Sequence, residues 1–565
     1  MVEVAPVLDD PVEREHLTAG QVVVAIAAFV AIAVAFLCTL NASPLIEPDE
    51  PRYAEVAREM LVRGDWITPT LNFVKYFEKP PLVYWLIALN LAIFGQQDWA
   101  VRFWSAVFGL LGVMCTAYLA WRMFGFRVGV VAAAILASMP LYFGISQVAS
   151  PDMPLAALCT ACLVCAWVIH SRDEGGRERA LVACFWIALA LAVLAKGPVA
   201  AVLVFGTIGT YALVAREFAP WVRLFWLPGL ALFSAITLPW FVLVTWNNPE
   251  FARFFFFEQH VLRYAQPWEH RQPPWFYIPV VLLGAFPWWL IGLYAWRRVK
   301  TVAGGTSRIW RAEHLYLLCW FAVVFVFFSL SGSKLGTYIL PALPPLAMLF
   351  AHSIVKQIDG LGASLLKAAG ASAIVLGLGL LAAARLAPVL STHHRAERLP
   401  PALLVGAAVL VVGGVLLSRL ESCTRQRPWI AVAGLAGLLL SVEVATFRNR
   451  GVAEHYTPLA QAIRQQWKPG DRIVLYRHYT QGIPYYTGRR VVVVRSWGEL
   501  DFGRRQGDHT GYFWEDDDRL VREWNRGGRM FLVLNRSALA DLAGHLEPSP
   551  RPLAHWGKKV VVVNF

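Results

Sequence analysis

Six stretches hold the side chains best suited to chemistry in this chain: EPDEPRYAEVAREM (47–60), NFVKYFEKPP (72–81), SPDMP (150–154), AKGP (195–198), FARFFFFEQHVLRY (251–264) and SGSKLGTYILP (331–341). They supply two aspartates, Asp49 and Asp152. Such a pair can divide labour: one carboxylate assists an acceptor as base or electrostatic partner, and the other recognises an amino or hydroxyl group of a donor. Each aspartate has a plainer reading as a helix-start or turn residue. The same stretches carry Arg52, Lys79, Lys196, Arg263 and Lys334. These are the groups an anionic phosphate or diphosphate requires, or else headgroup anchors and ion pairs. Tyr53, Tyr76 and Tyr338 adjoin them and are taken as site residues; as tyrosines they also suit an aromatic belt. Glu78 and His260 are the residues that would hold a metal, but no close ligand spacing supports them.

The elements that position these residues are membrane helices. The 565 residues are 57% hydrophobic and 16% charged, with mean hydropathy +0.50, which excludes a cytosolic enzyme. Charge is unevenly spread: about 26% of the last 119 residues carry it, against about 13% before. The chain therefore divides into a membrane body, 1–446, and a small soluble domain, 447–565.

Fourteen apolar runs approach the span length of about 20 residues, from 21–40 to 428–446 and including 366–387 and 402–418. The first has neither a basic lead-in nor a cleavage site and reads as a retained helix. The weakest is 81–97, opening on proline and carrying Asn90, Gln96 and Gln97. If it does not cross, the loops 121–127, 171–180, 216–223, 297–312, 356–367 and 419–427 share one side, each with two to five Lys or Arg residues. That satisfies the positive-inside rule and leaves thirteen spans. The long loop 41–102, residues 246–274, the other chemical stretches and the C-terminal domain then all face outward.

Within the first loop, Tyr53, Val56, Ala57 and Met60 follow a 3,4 spacing, which predicts a short amphipathic helix over 51–62. The phenylalanine run beside Arg253, Glu258, His260 and Arg263 fits an interfacial helix. The C-terminal domain has strand-like runs at 472–476, 491–494, 530–535 and 560–563, giving a small α/β or mostly β domain without a nucleotide fingerprint. The eight cysteines lie mostly in apolar runs, so Cys162 and Cys165 read as packing thiols despite their C-x2-C spacing. The net charge of +13 comes without a basic tract, and nucleic acid is not an expected partner.

The quoted stretches, with EPDEPRY, FEKPP, SPDMP, AKGP and SGSKLGTYILP in this order, resemble the bacterial 4-amino-4-deoxy-L-arabinose transferases of lipid A, within the GT-C glycosyltransferases related to protein mannosyltransferases. The resemblance covers almost the whole membrane body; the C-terminal domain is less diagnostic. It implies a polytopic α-helical GT-C fold of about thirteen transmembrane helices with an outward C-terminal α/β domain. It further implies an inverting transfer of aminoarabinose from undecaprenyl phosphate to lipid A phosphates, at the periplasmic face of the inner membrane, by a monomer. It makes Asp49 and Asp152 the acidic catalytic residues. Lys79 and Arg263 become lipid-phosphate ligands, with Arg52, Lys196 and Tyr338 nearby. Glu78 and His260 surround a divalent metal such as zinc, with no essential cofactor expected. Two other readings stay open: a GT-C enzyme with another polyprenyl-linked sugar or a protein acceptor, and a transporter of lipid-linked sugars.

Overall fold

The computed structural model describes residues 4–5, 18–171, 177–265, 270–302, 310–356, scattered positions between 367 and 415, 429–448 and 455–565. Its contacts define two compact units. One comprises Met1–Ser43, Arg102–Phe241 and Phe256–Val452; the other comprises Pro44–Val101, Val242–Phe255 and Ala453–Phe565. The unit holding the charged C-terminal stretch thus takes in the first loop and a short segment from mid-chain.

The first unit is helical. Among the described residues, seven helices are long and apolar enough to cross a bilayer: Ala19–Leu37, Asp98–Phe124, Asp152–His170, Glu178–Lys196, Leu227–Asn247, Ala312–Leu330 and Gly336–Lys356. At 1.5 Å per residue a 19-residue helix spans about 28 Å, close to the hydrocarbon thickness. Two bent pairs, Phe126–Ala137 with Pro140–Ser146 and Pro274–Gly284 with Trp288–Trp296, raise the number to nine if each pair is one span. Pro140 and Pro287 explain the breaks, because a proline cannot donate into the helix ladder. The runs 366–387 and 402–418 fall mostly outside the described residues.

Asp152–His170 is the most enclosed of these helices, 94% buried. Its Ala156, Ala157 and Ala166 let neighbours approach closely. The Tyr316 hydroxyl donates to the Leu163 carbonyl at 2.8 Å, and the Cys162 thiol donates to Phe185 O at 3.5 Å, so that thiol packs between helices. Among the described residues every cysteine is free.

The second unit is built on a six-stranded sheet: β1 Arg472–Tyr476, β2 Val492–Val494, β3 Phe513–Trp514, β4 Met530–Asn535, β5 Arg551–Trp556 and β6 Lys559–Val563. The order is β3-β2-β1-β4-β6-β5, parallel through β4 and antiparallel beyond it. The four strand-like runs of the sequence are β1, β2, β4 and β6. All four are buried on both faces except at their ends, hence their continuous apolar character. One face packs Met530, Leu532 and Leu534 against Leu520 and Trp524 of the helix Asp517–Asn525.

The first loop belongs to this body. Its helix, Asp49–Arg63, buries Tyr53, Val56, Ala57 and Met60, the face its spacing predicts, and stops at Gly64, whose φ of 66° suits glycine. A hairpin follows, Thr70–Leu71 paired with Val74–Lys75 through Asn72 and Phe73, both at positive φ as a type I′ turn requires. The Asn72 carboxamide accepts from Val491 N and donates to Val491 O, both at 3.0 Å, so the hairpin tip is tied to the residue preceding β2. The apolar segment after the two prolines forms a helix of only 13 residues, Leu82–Phe94. Its length of about 20 Å falls short of the hydrocarbon core.

Candidate functional site

Pro48 sits at the N-cap of the helix Asp49–Arg63 and supplies no side-chain cap, which leaves the first turn to Asp49 and Glu50. Their charges suit the positive end of the helix. The Asp49 carboxylate is more than half exposed and accepts from Arg52 Nη1 at 2.8 Å, one turn on. Arg52 Nε makes a second ion pair, with Glu499 Oε2, while Glu499 Oε1 accepts from Gln481 Nε2 at 2.6 Å. The guanidinium is therefore bracketed by an exposed carboxylate of its own helix and an enclosed one from between β2 and β3. Burial works against the Arg52 charge, but Glu499, Tyr76 and Asp49 outweigh it and hold the group more firmly cationic than usual.

Other acids of this unit are strongly perturbed. Burial pushes Glu47 up to about 8, although its Oε1 accepts from Gly482 N at 2.6 Å. A Cβ at residue 482 would lie 2.5 Å from that oxygen, so a larger residue there would displace the Glu47 carboxylate. Burial, with Glu55 adding repulsion, raises Glu59 to about 8; its Oε2 accepts from the Thr70 hydroxyl at 2.6 Å and Phe73 N at 2.9 Å. Burial raises Glu499 to about 7, opposed by Arg52. Tyr76 is fully buried, and its hydroxyl is held well above the usual phenol range by burial and then by Glu78. The Tyr53 ring lies 6.0 Å from that of Tyr84. Lys79 stands half-buried just ahead of Leu82–Phe94 and donates to the Glu78 carbonyl at 3.2 Å.

In the membrane unit, Asp152 is the first residue of its helix, after Pro151. Its Oδ2 accepts from the Ser150 hydroxyl at 3.1 Å, and its backbone N–H donates to that hydroxyl at 3.1 Å. Lys196 ends the next helix, where a cation suits the negative helix terminus. Its ammonium pairs with Asp152 Oδ1 and sits 4.0 Å from the Tyr338 ring centroid. Lys334 is buried, its ammonium donating to Gln272 O at 3.1 Å and to the Ser331 carbonyl, and its backbone N–H donates to His270 O at 3.0 Å. Arg263 follows a π-helix, Arg253–Leu262, that contains His260, and donates to Gln259 Oε1 at 2.9 Å.

The structure thus brings Asp49 together with Arg52, and Asp152 with Lys196 and Tyr338. Lys334 and Arg263 have their own partners. Glu78 and His260 belong to different compact units, and among the described residues no three His, Cys, Asp or Glu side chains gather as a metal site. The described donor set does not form a metal cage. Sequence reasoning missed Glu499, Gln481 and Glu47. The buried acid in SWGEL had no spacing signal, because its partner Arg52 is more than 400 positions away.

Residues 21–255 match the dolichyl-phosphate-mannose-protein mannosyltransferase family, and residues 459–564 match the aminoarabinose transferase C-terminal domain. The chain is 29% identical over 570 residues to the undecaprenyl phosphate-alpha-4-amino-4-deoxy-L-arabinose arabinosyl transferase of Erwinia tasmaniensis, covering 93% of this chain and 96% of the relative. It is 30% identical over 444 residues to transferase 1 of that name from Pseudomonas fluorescens, 75% of each chain. Among solved structures it is similar to ArnT from Cupriavidus metallidurans bound to undecaprenyl phosphate, with TM-score 0.83 and 28% identity over 97% of this chain and 99% of that one.

Proposed function

Since the chain belongs to the undecaprenyl phosphate-alpha-4-amino-4-deoxy-L-arabinose arabinosyl transferases, membrane glycosyltransferases of GT-C type, we propose that it moves 4-amino-4-deoxy-L-arabinose from undecaprenyl phosphate to phosphate groups of lipid A. The proposed setting is the periplasmic face of the inner membrane, with thirteen spans and a single chain as the working form. The observation carrying the reading is likeness over nearly the whole chain to a transferase bound to undecaprenyl phosphate. Adding an ammonium group to each modified phosphate lowers the negative charge of lipid A, which favours resistance to polymyxin and other cationic peptides.

In the proposed reaction a lipid A phosphate oxygen attacks the anomeric carbon. The bond from that carbon to the undecaprenyl phosphate oxygen breaks, with its electron pair leaving on the phosphate, and one such displacement inverts the centre. The nucleophile is already anionic, so Asp49 has little proton to remove. Its exposed carboxylate instead orients the sugar and stabilises positive charge developing at the anomeric carbon. Lys79, Arg263 and Arg52 are assigned to the departing phosphate, whose charge grows in the transition state. Lys196 is engaged with Asp152, and Lys334 with backbone carbonyls. Their proposed contribution is a fixed, charge-balanced cluster, with Tyr338 beside Lys196. Tyr53 and Tyr76 are assigned to substrate contact. Both substrates are lipid-anchored, so orienting two headgroups supplies much of the rate.

The test is the mass of lipid A from cells lacking the native activity, with and without this chain. An aminopentose added on phosphate supports the reading; unmodified lipid A despite a folded, membrane-inserted chain overturns it. The mannosyltransferase-family match over residues 21–255 favours a second reading, transfer to a protein acceptor, which the same cells expose as glycosylated protein with unmodified lipid A. No essential cofactor is proposed. Zinc at Glu78 and His260 is tested by chelation, which leaves transfer intact if no metal takes part.

A further inference from the structure

Arg52 is a long side chain with two carboxylates within reach, and one of them comes from the C-terminal domain. The segment carrying it, Gly498–Arg504, is seated independently of that ion pair. Phe502 packs against Phe77 at 5.8 Å and Phe254 at 4.0 Å, and Gly503 lies so close to the Lys75 carbonyl that a Cβ would collide with it. Glu499 is thus delivered to a fixed point, and its second oxygen is occupied by Gln481 Nε2 at 2.6 Å. Gln481 adjoins Gly482, whose N–H holds Glu47 just ahead of the helix Asp49–Arg63. Two carboxylates consequently tie the start of that helix to the sheet domain: Glu47, just ahead of it, accepts from Gly482, and Glu499 pairs with Arg52.

We propose that Glu499 is a positioning residue for the transferase reaction: by fixing the Arg52 guanidinium it sets the place of the Asp49 carboxylate, so the C-terminal domain takes part in the catalytic site. Asp49 is exposed and its side chain has Arg52 as an ion-pair partner at 2.8 Å. An Arg52 held at one end only swings about several single bonds and carries this restraint with it. A displacement of about 1 Å in an orienting group is enough to reduce turnover by one to two orders of magnitude.

The inference rests on the proposed transfer reaction for its kinetic arm. E499Q preserves size and removes the charge. Its expected effect is a fall in kcat of about tenfold to a hundredfold with donor KM changed less than about twofold. In an R52A background E499Q adds no further loss, because the restraint has already gone. Multiplying losses in the double variant, or unchanged kcat in E499Q, overturns the proposal; a domain merely loosened would lower the amount of active enzyme in both backgrounds alike. Amide hydrogen exchange on the full-length protein in detergent provides an arm independent of activity. E499Q is expected to speed exchange in the first turn of Asp49–Arg63 while β1, β2 and β4 keep wild-type protection. Unchanged exchange in that turn also overturns it. Wild-type chain that transfers nothing defeats the proposed function, and the exchange result still decides the role of Glu499.

Discussion

Removing Lys196 leaves the Asp152 carboxylate without its cation at a site where each partner's side chain is only 10% exposed. Breaking a buried pair from one side costs about 3–5 kcal/mol, because the remaining charge is uncompensated. Part of that is recovered here. The Ser150 hydroxyl still donates to Oδ2 at 3.1 Å, and Asp152 begins a helix, where a negative charge is favoured by about 0.3–1 kcal/mol. Loss of the contact with the Tyr338 ring adds about 1 kcal/mol of destabilisation. The expected cost of Lys196→Met is therefore about 3 kcal/mol. Asp152→Asn strands the ammonium in the same way and is expected to cost about as much. The double variant Asp152→Asn with Lys196→Met leaves no charge behind and should regain most of the stability, costing only about 1–2 kcal/mol and giving a coupling of about 4–5 kcal/mol. Reversible unfolding in mixed micelles measures all four corners of the cycle. Single variants within about 0.5 kcal/mol of the parent, or a double variant as unstable as the two losses combined, would refute the account of a mutually dependent pair. Transfer activity separates stability from chemistry: the stable double variant remains inactive if the paired charges also organise the substrates.

Three other outcomes follow from the geometry. Asp49→Asn, at an exposed position, should shift stability by less than about 0.5 kcal/mol yet cut kcat by about a hundredfold, read from transfer rate on protein of unchanged melting temperature. Asn72→Ala deprives Val491 of both partners and places alanine at φ 54°, for a loss of about 3 kcal/mol that limited proteolysis of the first loop reports. Glu47 and Glu59 titrate near 8 and Glu499 near 7, all above the ordinary 4.5, so the folded chain binds more protons than the unfolded chain between those limits. Their contribution is full below about pH 4.5 and declines as pH rises through 7 to 8, so the melting temperature attributable to this unit should be higher at pH 6 than at pH 8.5, with the slope reduced in Glu59→Gln.

Local pattern carried the elements whose stability is local. The spacing Tyr53, Val56, Ala57 and Met60 identifies a helix because one face must be apolar, and the interruption of 81–97 by polar residues foretells a helix too short to span. The Asp152–Lys196 pair was not legible: the sequence set Asp152 beside Asp49 and Lys196 among cations for phosphate, and the two residues, 44 positions apart, belong to successive helices. β5 was not legible: RPLAHW has a proline and half-exposed positions, as an edge strand allows, and it lacks the continuous apolar run of β6. β3 is only two residues long. Nor does composition reveal that Glu50, Glu55 and Glu59 are buried, because a Glu-rich helix normally signals a solvated face. Their enclosure depends on the sheet domain, reached only at the far end of the chain.

That distance bears on how the protein is made. Asn72 and Val491 are separated by 419 positions, and at a synthesis rate of about 5–20 residues per second the hairpin emerges roughly 20–80 s before its partner exists. Through that interval the first-loop helix has only near neighbours such as Leu82–Phe94 to cover its apolar face. The three glutamates that later become enclosed are then exposed to water, and this polar face keeps the waiting segment soluble. Glu59, which burial raises to about 8 in the finished unit, thus begins as part of a water-facing polar edge and ends enclosed once the last strands arrive.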